Sequence, residues 1–204
     1  MRCIIIGALP VARLPFAVTE NDYVIAADKG LETAQKLSVH VDLIIGDYDS
    51  LGYVPVGENV IRLPVRKDET DVGCAVRLAL ERGCEDFHIF GAVGGKLDHT
   101  LANVQIAAEL AAKGASVTFY GDSERFCTIR SGSVRLPARE SGRVSVFSLT
   151  DRCEDVTVRG LSYECEHVAL QNTFPLGVSN AFVGKSAEIS VGEGTLLVVW
   201  EEGL

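Results

Sequence analysis

Leu43-Ile44-Ile45-Gly46-Asp47-Tyr48-Asp49-Ser50 runs a short apolar stretch straight into a glycine and two aspartates. A continuous Leu/Ile run of this length suits a strand buried on both faces of a parallel sheet. The aspartates then fall at its carboxyl end, where open α/β sheets bind their ligands. In extended backbone, residues two apart point the same way, so Asp47 and Asp49 face one ion. Ser50 is placed to cap the next segment or to donate to a phosphate. An acidic Asx turn accounts for this pair, taken alone, equally well.

The same arrangement recurs twice. Lys67-Asp68-Glu69-Thr70-Asp71 stands at the start of a helical stripe in which Val72, Ala75, Val76 and Ala79 share a face and Gly83 marks the stop. One carboxylate there serves as a helix cap, which leaves the other without a local task; Lys67 offers a point charge to a phosphate. Gly91-Ala92-Val93-Gly94-Gly95-Lys96-Leu97-Asp98-His99 follows an apolar run at 87–90 and opens a second helix. Paired glycines let backbone N–H groups approach a phosphate, and the helix start adds positive potential. The segment lacks the GK[ST] of a P-loop. A glycine turn with an aspartate cap is the plainer alternative. Carboxylates gathered at three strand ends repel one another, and a divalent cation carrying phosphate oxygens is the simplest counter-charge. His99 reads as support for this cluster; His40, His88 and His167 have no metal-ligand spacing.

Apolar runs at 3–7, 23–27, 43–46, 60–63, 87–90 and 117–120 alternate with helical patterns at 28–37, 72–79 and 101–112. The expected fold of this half is α/β, a doubly wound and mostly parallel sheet. Beyond Ser123 the period changes to two, at Val134/Leu136, Val144/Val146, Val156/Val158 and Ile189/Val191, with turn residues such as Gly132, Gly142, Gly160, Gly192 and Gly194 between. That predicts a C-terminal antiparallel β-sandwich. The expected domains are residues 1–122 and 123–204.

Composition narrows the function classes. The 204 residues are 47% hydrophobic, enough for a real core, and carry a net charge of −9, which argues against non-specific nucleic-acid binding. The six cysteines show no CxxC spacing and read as buried free thiols, with a Cys153–Cys165 disulfide or a zinc site as alternatives. The apolar run at 3–7 is too short for a signal peptide, and no window approaches the roughly 18 apolar residues of a membrane span. A cytoplasmic protein with no membrane partner is expected.

Taken in order, Ala27-Asp28-Lys29-Gly30, Gly46-Asp47-Tyr48-Asp49-Ser50, Lys67-Asp68-Glu69-Thr70-Asp71, Gly94-Gly95-Lys96-Leu97-Asp98-His99 and Val178-Ser179-Asn180 resemble the thiamine pyrophosphokinase family, over nearly the whole chain. The resemblance implies an α/β catalytic domain and a β thiamine-binding domain. It also implies transfer of diphosphate from ATP to thiamine with Mg²⁺, releasing AMP. By the family pattern Asp47, Asp49, Asp68, Asp71 and Asp98 bind metal and triphosphate, and one of them accepts the hydroxyl proton. Asp28, Ser50, Lys67, Thr70, Gly94, Gly95, Lys96, His99 and Asn103 belong with ATP in the same pattern. Leu161-Ser162-Tyr163 and Val178-Ser179-Asn180 fall where the family contacts thiamine. Tyr163 suits stacking on a planar cation, or is a half-exposed strand aromatic, and Ser179 and Asn180 suit the aminopyrimidine. Family members are homodimers with active sites at the subunit interface. Lys29 stands where the family often has glycine, and Lys96 where it commonly has arginine.

Three other readings stay open from residues alone. One is a diphosphokinase for another hydroxymethyl heterocycle, such as a pterin. Another is a metal-dependent phosphohydrolase with Asp47 as nucleophile, and the third is a non-catalytic sensor.

Overall fold

A computed structural model describes every residue except Ser50, Lys67, Gly203 and Leu204. The chain divides into two compact units: Met1–Ile106 with Phe119–Asp122, and Ala107–Thr118 with the chain from Ser123 onward.

The first unit is built on β1 (Arg2–Ile6), β2 (Tyr23–Ala27), β3 (Leu43–Gly46), β4 (Val60–Arg62) and β5 (Asp86–Phe90). These pair in parallel in the order β5-β1-β2-β3-β4. Their apolar runs are sealed: Cys3, Ile4, Ile5, Ile6, Ile25 and Ile89 have no exposed surface. Helices α1 (Gly30–Lys36) and α2 (Asp71–Glu81) pack on β1 and β2. Ala34 of α1 joins Ile4, Ile6, Val24 and Phe90 in one apolar cluster, with Leu14, Phe16 and Val18 of the β1–β2 connection packed against it. Helix α3 (Leu97–Ala112) follows β5, and β6 (Ser116–Tyr120) follows α3. The chain therefore progresses from β1 outward to β4, then returns to the other side of β1 with β5. The sheet order reverses beside β1, and such a switch point opens a crevice at the carboxyl ends of the strands.

At the opposite ends of these strands an ion pair ties the β1–β2 connection down. Arg2 donates from Nε to Asp22 Oδ1 at 2.6 Å and from Nη2 to Oδ2 at 2.5 Å, and its guanidinium lies 4.6 Å from the Phe16 ring centre. The Arg2 hydrogen bonds, with lesser help from Thr19, hold the Asp22 carboxyl down to about 2. A carboxylate whose acidity is increased by folding stabilises the fold above its unfolded value, and that contribution disappears as pH falls through the folded one. Acid titration of thermal stability should therefore show a loss between about pH 4 and pH 2. Asp22→Asn should remove that portion of the loss; an unchanged acid limb would contradict the assignment.

In the second unit the strands after Ser123 pair antiparallel. Strands β7 (Glu124–Leu136) and β12 (Ala187–Glu201) pair along their lengths. β12 also serves two further neighbours. Its first half pairs with β9 (Arg152–Arg159), as in Ile189 opposite Val158. Its second half pairs with β8 (Arg143–Ser148), as in Val198 opposite Val146. β10 (Cys165–Gln171) extends β9, and β11 (Gly177–Ala181) extends β8. Between them Val144, Val156, Ile189, Leu196 and Val198 form a fully buried core. This is the expected sandwich, with one correction. Gly192 and Gly194, read as turn residues, lie inside β12 at a break in register between Val191 and Thr195, and Gly132 lies inside β7. Gly194 has φ +100, open to glycine and strained for other residues, so the strand bends at a bulge instead of ending.

The six cysteines are free thiols, all buried but the half-buried Cys165. Among the described residues, no helix is long and apolar enough to cross a membrane.

Candidate active site

A cavity of about 450 Å³ opens at the switch point of the first unit, within the usual range for a small-molecule site. Ala8 and Leu9 follow β1, Ala27 and Asp28 close β2, and Gly91 and Ala92 follow β5. Glu69, Thr70, Asp71 and Val72 form the α2 wall, and Gly95, Lys96, His99 and Asn103 the α3 wall. The apolar side chains suit a heterocyclic ring, while Lys96 and His99 supply donors for anionic oxygens.

Each wall is held locally. The cap of α2 is Thr70 and not one of the neighbouring carboxylates: its hydroxyl accepts from the Gly73 N–H at 3.0 Å, the separation a helix cap requires. Buried Asn103 donates to Ala92 O at 2.6 Å, fixing the loop after β5 onto α3. Glu69 Oε2 accepts from Cys74 Sγ and Arg77 Nε, each at 3.2 Å, and these bonds, Cys74 first, keep Glu69 ionised below its ordinary range.

The carboxylates converge beside the cavity in a way the spacing alone does not reveal. Oxygens of Asp28, Asp47 and Asp49 lie within 4.8 Å of one another. Asp47 and Asp49 do not meet through a strand pleat, because β3 ends at Gly46. Tyr48 turns between them with φ +63, and the Asp49 N–H donates to Asp47 Oδ1 at 3.2 Å. Asp28, also at positive φ (+55), donates its N–H to Ile45 O at 2.8 Å and accepts the Tyr48 N–H on Oδ1 at 3.2 Å. Gly46 makes this possible: a Cβ there would stand 2.9 Å from Asp28 Oδ1 and 3.2 Å from its Cα. Asp71 lines the cavity itself, one residue beyond the cap. Asp68 and Asp98 are exposed and stand outside both the cavity lining and the three-carboxylate group. Asp98 Oδ1 accepts the His99 N–H at 2.9 Å, at the start of α3. Gly94 is exposed at φ +92 on the loop that carries Gly95 and Lys96. Ser50 and Lys67 lie outside the described residues.

In the second unit a cavity of about 320 Å³ is lined mainly by Val146, Val156, Val158, Val168, Leu170 and Leu176, with Tyr163 and Asn180 also on its wall. Tyr163 is 75% exposed. Asn180 is already engaged: its Oδ1 accepts from the Tyr163 and Ala181 N–H groups, and its Nδ2 donates to Tyr163 O at 2.6 Å. Its amide therefore braces the Tyr163 loop, leaving little of it for a ligand. Ser179 sits at φ +63 with its N–H donated to Ser145 Oγ at 3.1 Å.

Comparison with known proteins matches residues 16–119 to the catalytic domain of thiamin pyrophosphokinase and residues 133–196 to its vitamin B1 binding domain. The chain belongs to the thiamin pyrophosphokinase family. A thiamine pyrophosphokinase of Bacillus subtilis is 24% identical to it over 189 residues, spanning 88% of this chain and 87% of that one. Among solved structures, a thiamine pyrophosphokinase from Bacillus subtilis superposes with a TM-score of 0.85 at 20% identity, covering 100% of each chain. A thiamin pyrophosphokinase family protein from Enterococcus faecalis does so with 0.83 at 25% identity, again over 100% of each. The thiamin pyrophosphokinase fold thus extends over both units.

Most of the first cavity falls within the catalytic match, and Tyr163, Ser179 and Asn180 fall within the B1-binding match. The sequence pattern groups Asp28 with the nucleotide and not with the metal-binding carboxylates, and it does not single out Ala8, Leu9 or Glu69. Ala8 and Leu9 follow the first apolar strand, so the switch-point rule was the available signal for them. Glu69 lies within its acidic cluster, but neither its spacing nor its charge separates it from a solvated surface residue.

Proposed function

We propose that this chain transfers the terminal diphosphate of ATP to the hydroxyl of thiamine, giving thiamine diphosphate and AMP. The observation that carries the reading is the three-carboxylate group beside a cavity at the switch point of a thiamin pyrophosphokinase catalytic domain. In this reading residues 1–122 hold ATP and residues 123–204 hold thiamine.

Mg²⁺ is the proposed cation. The donor set fits: Asp28, Asp47 and Asp49 offer hard anionic oxygens close enough to share one ion, with Asp71 on the cavity wall beyond. A bound Mg²⁺ supplies neutralisation of polyphosphate charge and orientation of its oxygens. Lys96 and the backbone around Gly94 and Gly95 hold phosphates from the α3 side, and His99, Thr70 and Asn103 shape the rest of the pocket. The thiamine oxygen bonds to the β-phosphorus as the bond from that phosphorus to the AMP oxygen breaks, and a cluster carboxylate takes the hydroxyl proton. Asp68 and Asp98 act at longer range, as charge at the cavity's approaches. In the second unit the apolar cavity and Tyr163 receive the aromatic rings of thiamine, with Ser179 beside them. The working enzyme is a cytoplasmic homodimer with active sites at the subunit interface.

Incubation with ATP, Mg²⁺ and thiamine should yield AMP and thiamine diphosphate by mass, with 6-hydroxymethylpterin inert as acceptor. ATP hydrolysis alone, or transfer to the pterin only, would overturn the reading. Tyr163→Ala should raise the thiamine KM about threefold to tenfold, the range of a partly exposed cation–π contact, with little change in the ATP KM. Equal shifts in both constants would argue against stacking.

A further inference from the structure

Tyr48 separates two of the clustered aspartates, yet its side chain turns away from them into the protein. The ring is 3% exposed, and the phenol OH lies 3.2 Å from Ile44 O and 2.9 Å from Ile61 O, on β3 and β4. Its backbone occupies the left-handed region at φ +63, which L side chains avoid and which asparagine, aspartate or glycine ordinarily fills. Its N–H reaches the Asp28 carboxylate at 3.2 Å. The one residue therefore contacts the carboxylate of Asp28, just past β2, through its backbone, is bonded covalently to Asp47 and Asp49, and anchors the turn to β3 and β4 through its side chain.

From this geometry we infer that Tyr48 is a positioning residue for the Asp28, Asp47 and Asp49 oxygens, acting through a buried phenol that holds an otherwise unfavourable turn. A buried apolar ring satisfies the packing at this place; the hydroxyl adds direction. β4 is a three-residue strand whose residues are only half-buried or exposed, so its place beside β3 depends on few contacts, and the phenol bridges the two. The preorganisation matters because three like charges spread apart in the absence of a cation unless the backbone holds them.

This inference rests on the cation reading proposed above, and the test separates the two. Mn²⁺ binding to the free enzyme is measured by electron paramagnetic resonance for wild type, Tyr48→Phe, Asp49→Asn and Tyr120→Phe. Tyr120→Phe is the control: it removes the hydrogen-bonded phenol of a half-buried tyrosine in the same unit, 2.7 Å from His88 Nδ1 and outside the three-carboxylate group. Tyr48→Phe should weaken Mn²⁺ about tenfold, as loss of a residue that orients metal ligands from behind does. The half-saturating Mg²⁺ concentration in turnover should rise by the same factor, with the rate restored at excess Mg²⁺ and the thiamine KM unchanged. Tyr120→Phe should melt as early as Tyr48→Phe but bind Mn²⁺ like wild type. Wild-type Mn²⁺ affinity in Tyr48→Phe, alongside lost binding in Asp49→Asn, would overturn the positioning role and leave the cation site standing. Equal weakening in Tyr120→Phe would reduce the effect to general destabilisation. No Mn²⁺ signal in the wild type would overturn the cation site and this role with it.

Discussion

Asp28→Asn should lower kcat by about 10³-fold, the cost of several kcal/mol of lost charge stabilisation, while the protein still folds. The side chain keeps its shape, and its amide oxygen still accepts the Tyr48 N–H that Asp28 Oδ1 accepts at 3.2 Å. What disappears is one of three negative charges within 4.8 Å of one another. Without a bound cation, removing a like charge from such a group relieves repulsion, so thermal stability should hold or rise slightly. The pairing of lost turnover with undiminished Tm marks a functional carboxylate. Steady-state kinetics at saturating ATP and thiamine, together with a melting curve, read both quantities. Turnover near that of the wild type would remove Asp28 from the mechanism.

Gly46→Ala should act on the same carboxylate from the other side. Its new methyl group would sit 2.9 Å from Asp28 Oδ1 and 3.2 Å from both Asp28 Cα and N. The carboxylate can swing away, but the backbone cannot readily follow. Asp28 N–H is bonded to Ile45 O at 2.8 Å, and Leu63 N–H is bonded to Gly46 O at 2.8 Å, so both faces of this corner are committed. Overpacking of this kind costs about 1–3 kcal/mol, which should appear as a Tm lower by several degrees. Displacement of a charged group by less than an ångström should reduce turnover about 10²-fold. A variant that keeps full activity and full stability would show that Asp28 does not need this close approach.

Much of the architecture is legible in the order of residues. The unbroken Ile/Val/Leu stretches are strands sealed on both faces, and the change to alternation after Ser123 marks the sandwich. Acidic and glycine-rich segments stand at strand ends, and several of their residues line the first cavity. The long β12 is not legible in the same way, since Gly192 and Gly194 look locally like turn residues, and only pairing with β9 on one side of the bulge and β8 on the other makes the strand continuous.

What order along the chain determines is which residues are buried and which stand at strand ends, because both follow from local period and composition. What it leaves open is which of those ends meet. The Ala27–Ile45 register of β2 and β3 sets Asp28 against Gly46, and two positive-φ turns then aim Asp28, Asp47 and Asp49 at one point, while Asp68 and Asp98 remain exposed. Likewise Asn180, a free-looking amide in the sequence, is consumed in bracing Tyr163 seventeen residues away. Both outcomes depend on contacts between segments distant in sequence, which only the packed chain brings within hydrogen-bonding range.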